Sequence, residues 1–234
     1  GVTVRITSSD PSKVLLSPDH ATAGTAFVDI FIPDGKTRYD FFYVHGVSEA
    51  ALGTVTLTAT QAQFSDGTRN VALVKSGFQI RDLAGSTTSL SADDPFNVRT
   101  GYANTGGGFH YAPVSATGGA LDVELTSSDT AVGELKTGGD SNSPVTVSIP
   151  VNGHTSANGP PDGPAFDPVG GGTTTVSASA PGFDNTWADG TQAVTVSQPG
   201  ITLTDQWHGD YRIGGGLQTR YRVDLGGSNH GGVT

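Results

Sequence analysis

The chain has 234 residues, 22 of them acidic and 12 basic, for a net charge of −10, and that balance argues against nucleic acid, whose phosphates recruit Lys and Arg. It contains no Cys, which removes disulfides, thiolate chemistry and Cys-based zinc sites together. No run approaches the ~18 apolar residues of a membrane helix and no signal peptide is visible, so this segment is expected neither to insert in a membrane nor to carry its own export signal.

Taken in chain order, alternating apolar residues predict strands over 2–7, 26–32, 39–44, 54–60 and 68–74, then over 121–126, 145–149, 173–179 and 191–197. Within the fourth, Val55 and Leu57 fall on one face and Thr54, Thr56 and Thr58 on the other, the pattern of a sheet with one buried side. The best helical candidate, 48–52, is one turn long, far short of the ~12 residues a marginal helix needs. Asp34-Gly35, Asp66-Gly67, Asp162-Gly163 and Asp189-Gly190 read as tight turns in which glycine takes a positive φ. The fold expected is all-β, with essentially no helix.

The sequence repeats itself. Val4-Arg-Ile-Thr-Ser-Ser-Asp10 answers to Val123-Glu-Leu-Thr-Ser-Ser-Asp129, a shift of 119. Gly53-Thr-Val-Thr-Leu-Thr-Ala-Thr-Gln-Ala-Gln-Phe64 answers to Gly172-Thr-Thr-Thr-Val-Ser-Ala-Ser-Ala-Pro-Gly-Phe183 with the same shift. Asp66-Gly67-Thr68 then matches Asp189-Gly190-Thr191 at a shift of 123, so the second copy carries four extra residues around Trp187. Near the C-terminus, Asp210 to Ile213 resembles Asp94 to Arg99, and the last three residues, Gly232-Val233-Thr234, equal the first three. Repetition of this order divides the chain into 1–80, the later part of a module whose first strands are missing; 81–200, a complete module; and 201–234, the first strands of a following module.

The Thr-Ser-Ser-Asp-Pro-Ser run at 7–12, the Ile-Pro-Asp-Gly turn at 32–35, the Phe-Tyr-Val strand at 42–44 and Gly-Thr-Val-Thr-Leu-Thr-Ala at 53–59 resemble the immunoglobulin-like tandem repeats of large bacterial surface and adhesin-type proteins. The resemblance implies tandem β-sandwich modules, secretion to the cell surface, a stalk or adhesive role, and in some members calcium. The second module departs from the pattern over 144–167, an irregular insertion containing His154 and Asp162-Gly163.

Candidate chemistry is sparse. His20, His45, His110, His154, His208 and His230 show no H-x-x-x-H or H-E-x-x-H spacing, and His45 reads as a strand-end residue. No G-x-S-x-G elbow accompanies the many serines, so an enzyme is not expected. The glycine runs at 106–108, 170–172 and 214–216 lack the following helix that a phosphate cradle requires. Asp93 and Asp94, at the handover between modules, are the candidate calcium ligands, and calcium is the one candidate cofactor. Trp187, on the loop expansion, is the candidate ligand or module contact, with surface glycans as the partner it would serve.

A sandwich without its first strands exposes pairing edges. The expectation is therefore a head-to-tail extracellular fibre, stalk or sheath in which 201–234 complements 1–80 of a neighbouring copy. The neighbour is either the next repeat of a covalent array or a separate chain receiving donated strands. The alternative is a multivalent adhesin that binds carbohydrate weakly at many sites.

Overall fold

The structure is a computed structural model that describes residues 1–39, 41–47, 52–138, 140–141, 143–184, 190–205 and 213–225. The chain is all-β, and among the described residues there is no helix, hence none long and apolar enough to cross a membrane.

The first unit is built around β1 (Val2–Ser8), which pairs antiparallel with β3 (Phe27–Ile32) on one side and β5 (Gly53–Thr60) on the other. With β6 (Gly67–Leu73) beyond β5, the order is β3-β1-β5-β6. A second, two-stranded sheet of β2 (Val14–Ser17) and β4 (Tyr43–Gly46) lies against it. Alternation decides which side chains meet: Val28 and Ile30 of β3 and Val55 and Leu57 of β5 point inward onto Val14 and Leu16 of β2, forming one buried cluster. The predicted facing of Val55 and Leu57 is the observed one.

The same plan recurs in the second unit. β12 (Leu121–Ser127), β15 (Val145–Ile149), β17 (Gly172–Ser179) and β18 (Thr191–Ser197) take the order β15-β12-β17-β18, and β13 (Gly133–Thr137) pairs with β16 (Ala165–Pro168) as β2 pairs with β4. Here, however, further strands close the sandwich. β8 (Ser86–Thr88) joins β18 in parallel, and β9 (Asp94–Pro95) joins the edge of β16. β14 (Asp140–Ser141) extends the far side of β13. β7 (Ser76–Arg81) and β10 (Asn97–Ala103) pair antiparallel, with β11 (Phe109–Tyr111) outside β10. β7 and β10 drive Phe78, Ile80 and Val98 into the core, joined by Phe96 from between β9 and β10.

β7 begins at Ser76, inside the stretch 1–80 expected to form the first module, and its Phe78 and Ile80 pack in the second core. The segment expected to be irregular, 144–167, contains β15 and the start of β16, and the stretch between them holds β10 in place: Thr100 N–H donates to His154 O at 2.9 Å, and Ser156 Oγ accepts from Val98 N–H at 3.0 Å. Of the turn glycines, Gly35 has the expected positive φ of 74°. Gly163 is needed for another reason: a Cβ there would run into the carbonyl of Ala157.

Beyond β18 stands a two-stranded hairpin, β19 (Ile201–Asp205) and β20 (Tyr221–Leu225), with Ile201 opposite Leu225 and Leu203 opposite Val223.

Candidate functional site

The two units differ where the second has strands that the first lacks. Among the described residues β6 pairs only with β5, whereas its counterpart β18 has β8 on its outer edge; β4 pairs only with β2, whereas β16 also has β9. The core follows suit. Ladder positions equate Val44 with Phe166, since each faces the matched pair Leu16 and Leu135 across its sheet; Val44 is 42% exposed and Phe166 is fully buried. Val71 and Leu73 on β6 are half-buried, while their counterparts Val194 and Val196 are buried. An open cleft of about 700 Å³ runs along these positions, lined by Val44, Val71 and Leu73 on one side and by Tyr102, Val114 and Leu121 of the second unit on the other.

At the other end of the chain the hairpin shows the opposite imbalance. Ile201, Leu203, Val223 and Leu225 share one face, and each is 60–70% exposed. An isolated two-stranded hairpin is marginal in water, and burying four such side chains is worth roughly 1.5–3 kcal/mol each. The face is thus an apolar surface without a core.

One polar cluster joins the units. His45 on β4 is 5% exposed; its Nε2 lies 2.7 Å from Ser17 Oγ and its Nδ1 2.7 Å from Ser115 Oγ of the second unit. The Ser17 hydroxyl donates to Asp19 O at 2.6 Å, so His45 donates to Ser17 from Nε2. Burial holds the ring's pKa below the ordinary value, which favours the neutral imidazole, and in that form Nδ1 accepts from Ser115. Ser17 is fully buried and its proton is committed to a main-chain carbonyl, so this serine and histidine are not set up as nucleophile and base. A second bond across the units runs from Gly24 N–H to Thr117 Oγ1 at 3.0 Å. In the second unit the places of Ser17 and His45 are taken by Lys136 and Asp167, an ion pair at 2.7 Å. No local pattern marks the His45 role, because its partner Ser115 lies 70 residues away.

The predicted calcium pair is engaged with the protein. Both Asp93 oxygens lie 3.3 Å from Lys136 Nζ, and Asp94 accepts from the Ala84 amide at 2.8 Å. The described residues contain no cluster of three or more His, Cys, Asp or Glu side chains able to hold a metal. Trp187 lies outside the described residues, as does most of the short helical candidate at 48–52. The glycines at 106–108 form the tip between β10 and β11, where Asn104 Oδ1 accepts from the amides of Gly106 and Gly108.

No family model and no curated protein matches the sequence. Among solved structures, the chain is similar at 12% identity to domains 4–9 of the surface layer protein SbsC, with a TM-score of 0.30 over 99% of this chain and 29% of that one. The chain therefore spans less than a third of that structure. It is also similar to the D00–D0 domain of intimin (11% identity, TM-score 0.27, 82% of this chain and 83% of that one). A third is a glycosyl hydrolase family 2 member from Bacteroides cellulosilyticus (11%, 0.25, 80% and 21%). Superpositions this loose carry no inference about the chain.

Proposed function

We propose that the chain is a structural repeat of an extracellular fibre, stalk or sheath, joined head to tail with further copies of itself. The observation that supports this is the combination, among the described residues of a single chain, of one closed unit, one open unit and one hairpin with an exposed apolar face. Contacts made between different patches on successive copies do not close on themselves and so propagate. Within each copy, the His45–Ser115 and Gly24–Thr117 bonds tie the two units together, as a mechanical spacer requires. The extracellular setting rests on the resemblance to bacterial surface repeats, and the reading assigns no catalysis. Electron microscopy of the purified chain, over a range of concentrations, tests it: linear filaments of regular axial repeat support it, and a monodisperse monomer at every concentration overturns it. Labelling of intact, unpermeabilised cells by an antibody to the chain tests the setting.

A further inference from the structure

We infer that the hairpin β19–β20 of one copy occupies, in residues 1–74 of a second copy, the place that β7 and β10 occupy in the chain's own second unit. The inference deepens the head-to-tail reading and rests on it. β7 follows β6 as β19 follows β18, and the shift of 123 that relates Thr68 to Thr191 carries Gly77 to Gly200, Phe78 to Ile201 and Ile80 to Leu203. The two ladders then fix the return strand. Phe78 faces Thr100 and Ile80 faces Val98; Ile201 faces Leu225 and Leu203 faces Val223. Carried one step further along β20, the register sets Tyr221 in the place of Phe96. The match of 210–213 to 94–99 expected from sequence falls, but for Ile213, outside the described residues.

At four of the five positions the side chains agree in kind, Leu225 standing where the second unit has Thr100, and at all five they disagree in burial. Phe78, Ile80, Phe96, Val98 and Thr100 are at most 6% exposed, while Ile201, Leu203, Tyr221, Val223 and Leu225 are all exposed. An inward-facing set of this pattern has one complement, a core of the same repeat that lacks it, and residues 1–74 are such a core. The receiving side carries a matching exposed aromatic. Phe183 stacks on Phe78 with ring centroids 4.9 Å apart; its counterpart in the repeat, Phe64, sits in the same turn, with its amide donating three residues back, and is 63% exposed. In the joint, Ile201 of one copy therefore packs on Phe64 of the next.

The cysteine-free chain makes this testable by thiol cross-linking. Full-length Ile201→Cys and Phe64→Cys chains are mixed under conditions where the wild type assembles, and treated with a short bismaleimide. Both positions are exposed, so the variants keep the fold. The expected result is covalent dimers carrying one chain of each kind, enriched about tenfold or more over a Thr202→Cys and Phe64→Cys mixture, because the joint raises the local concentration only for the inward face. Val223→Cys with Phe64→Cys gives a second donor position. Filaments that form without this face-specific linkage overturn the inference and leave the structural reading standing, since the joint then lies elsewhere. Failure of the wild type to assemble overturns both. Linkage equal for Ile201→Cys and Thr202→Cys also overturns it, as random collision.

Discussion

Ser115 Oγ lies 2.7 Å from His45 Nδ1, and by this bond a histidine buried in the first unit is held by the second. The ring is neutral, and burial lowers its pKa below 6.5. An unfolded chain then binds more protons than the folded one as pH falls, so the His45 contribution is complete above the ordinary value and is lost as pH drops through the lower, folded one. The cleft beside it carries His20, Tyr43 and Tyr102 but no carboxylate or cationic side chain that would compensate. Urea unfolding at a series of pH values should show stability flat above neutrality and falling on the acid side, with a shallower fall in His45→Gln. His45→Ala should cost about 1–3 kcal/mol at neutral pH, as it leaves the buried Ser17 hydroxyl and the half-buried Ser115 hydroxyl short of a partner.

Ile80 and Leu203 hold equivalent places in two hairpins, one packed and one bare. Ile80→Ser should lower the stability of the second unit by several kcal/mol, the range for removing a buried aliphatic side chain. Leu203→Ser should change the stability of the dilute chain by no more than about 0.5 kcal/mol, yet abolish sedimentation of assembled material. Equal effects of the two on unfolding would mean that the hairpin is packed within its own chain.

Gly133 and Phe166 are a size-matched pair. A Cβ at Gly133 would meet the Phe166 ring, and in the first unit the corresponding places hold Val14 and Val44. Gly133→Val should destabilise the second unit by about 1–3 kcal/mol through overpacking. Adding Phe166→Val should recover part of that loss, because it restores the combination the first unit already uses. A double variant whose cost is the sum of the singles would contradict the pairing.

Much of the strand content was legible because its signal is local. The central strands β1, β5, β12 and β17 alternate cleanly, and the observed spans of β15 (Val145–Ile149) and β18 (Thr191–Ser197) agree with expectation residue for residue. β2 and β13 went unseen because Val14-Leu15-Leu16-Ser17 does not alternate and β13 has Leu135 as its only large apolar residue. β7 was unseen although Phe78 and Ile80 alternate with Gln79 and Arg81, because only two large apolar residues mark it. The strand expected at 39–44 begins only at Tyr43. At the candidate site, the repeat carried the expectation that one unit lacks its first strands. It could not show the register, which depends on Ile201 lying opposite Leu225 across a long connection. The His45–Ser115 bond was equally hidden, since neither residue type at either position announces a partner 70 residues away.

Hydrogen exchange of the intact chain, followed as its concentration is raised, reads both halves of the joint at once. In dilute solution the amides on the outer edges of β4 and β6 should exchange faster than their counterparts on β16 and β18, because fewer strands cover them. On assembly, protection should rise together in 43–46, in 67–73 and in 201–225, with little change in 121–127 or 172–179. Filaments that form with the exchange of 43–46 and 201–225 unchanged would contradict the completion of one copy by the next.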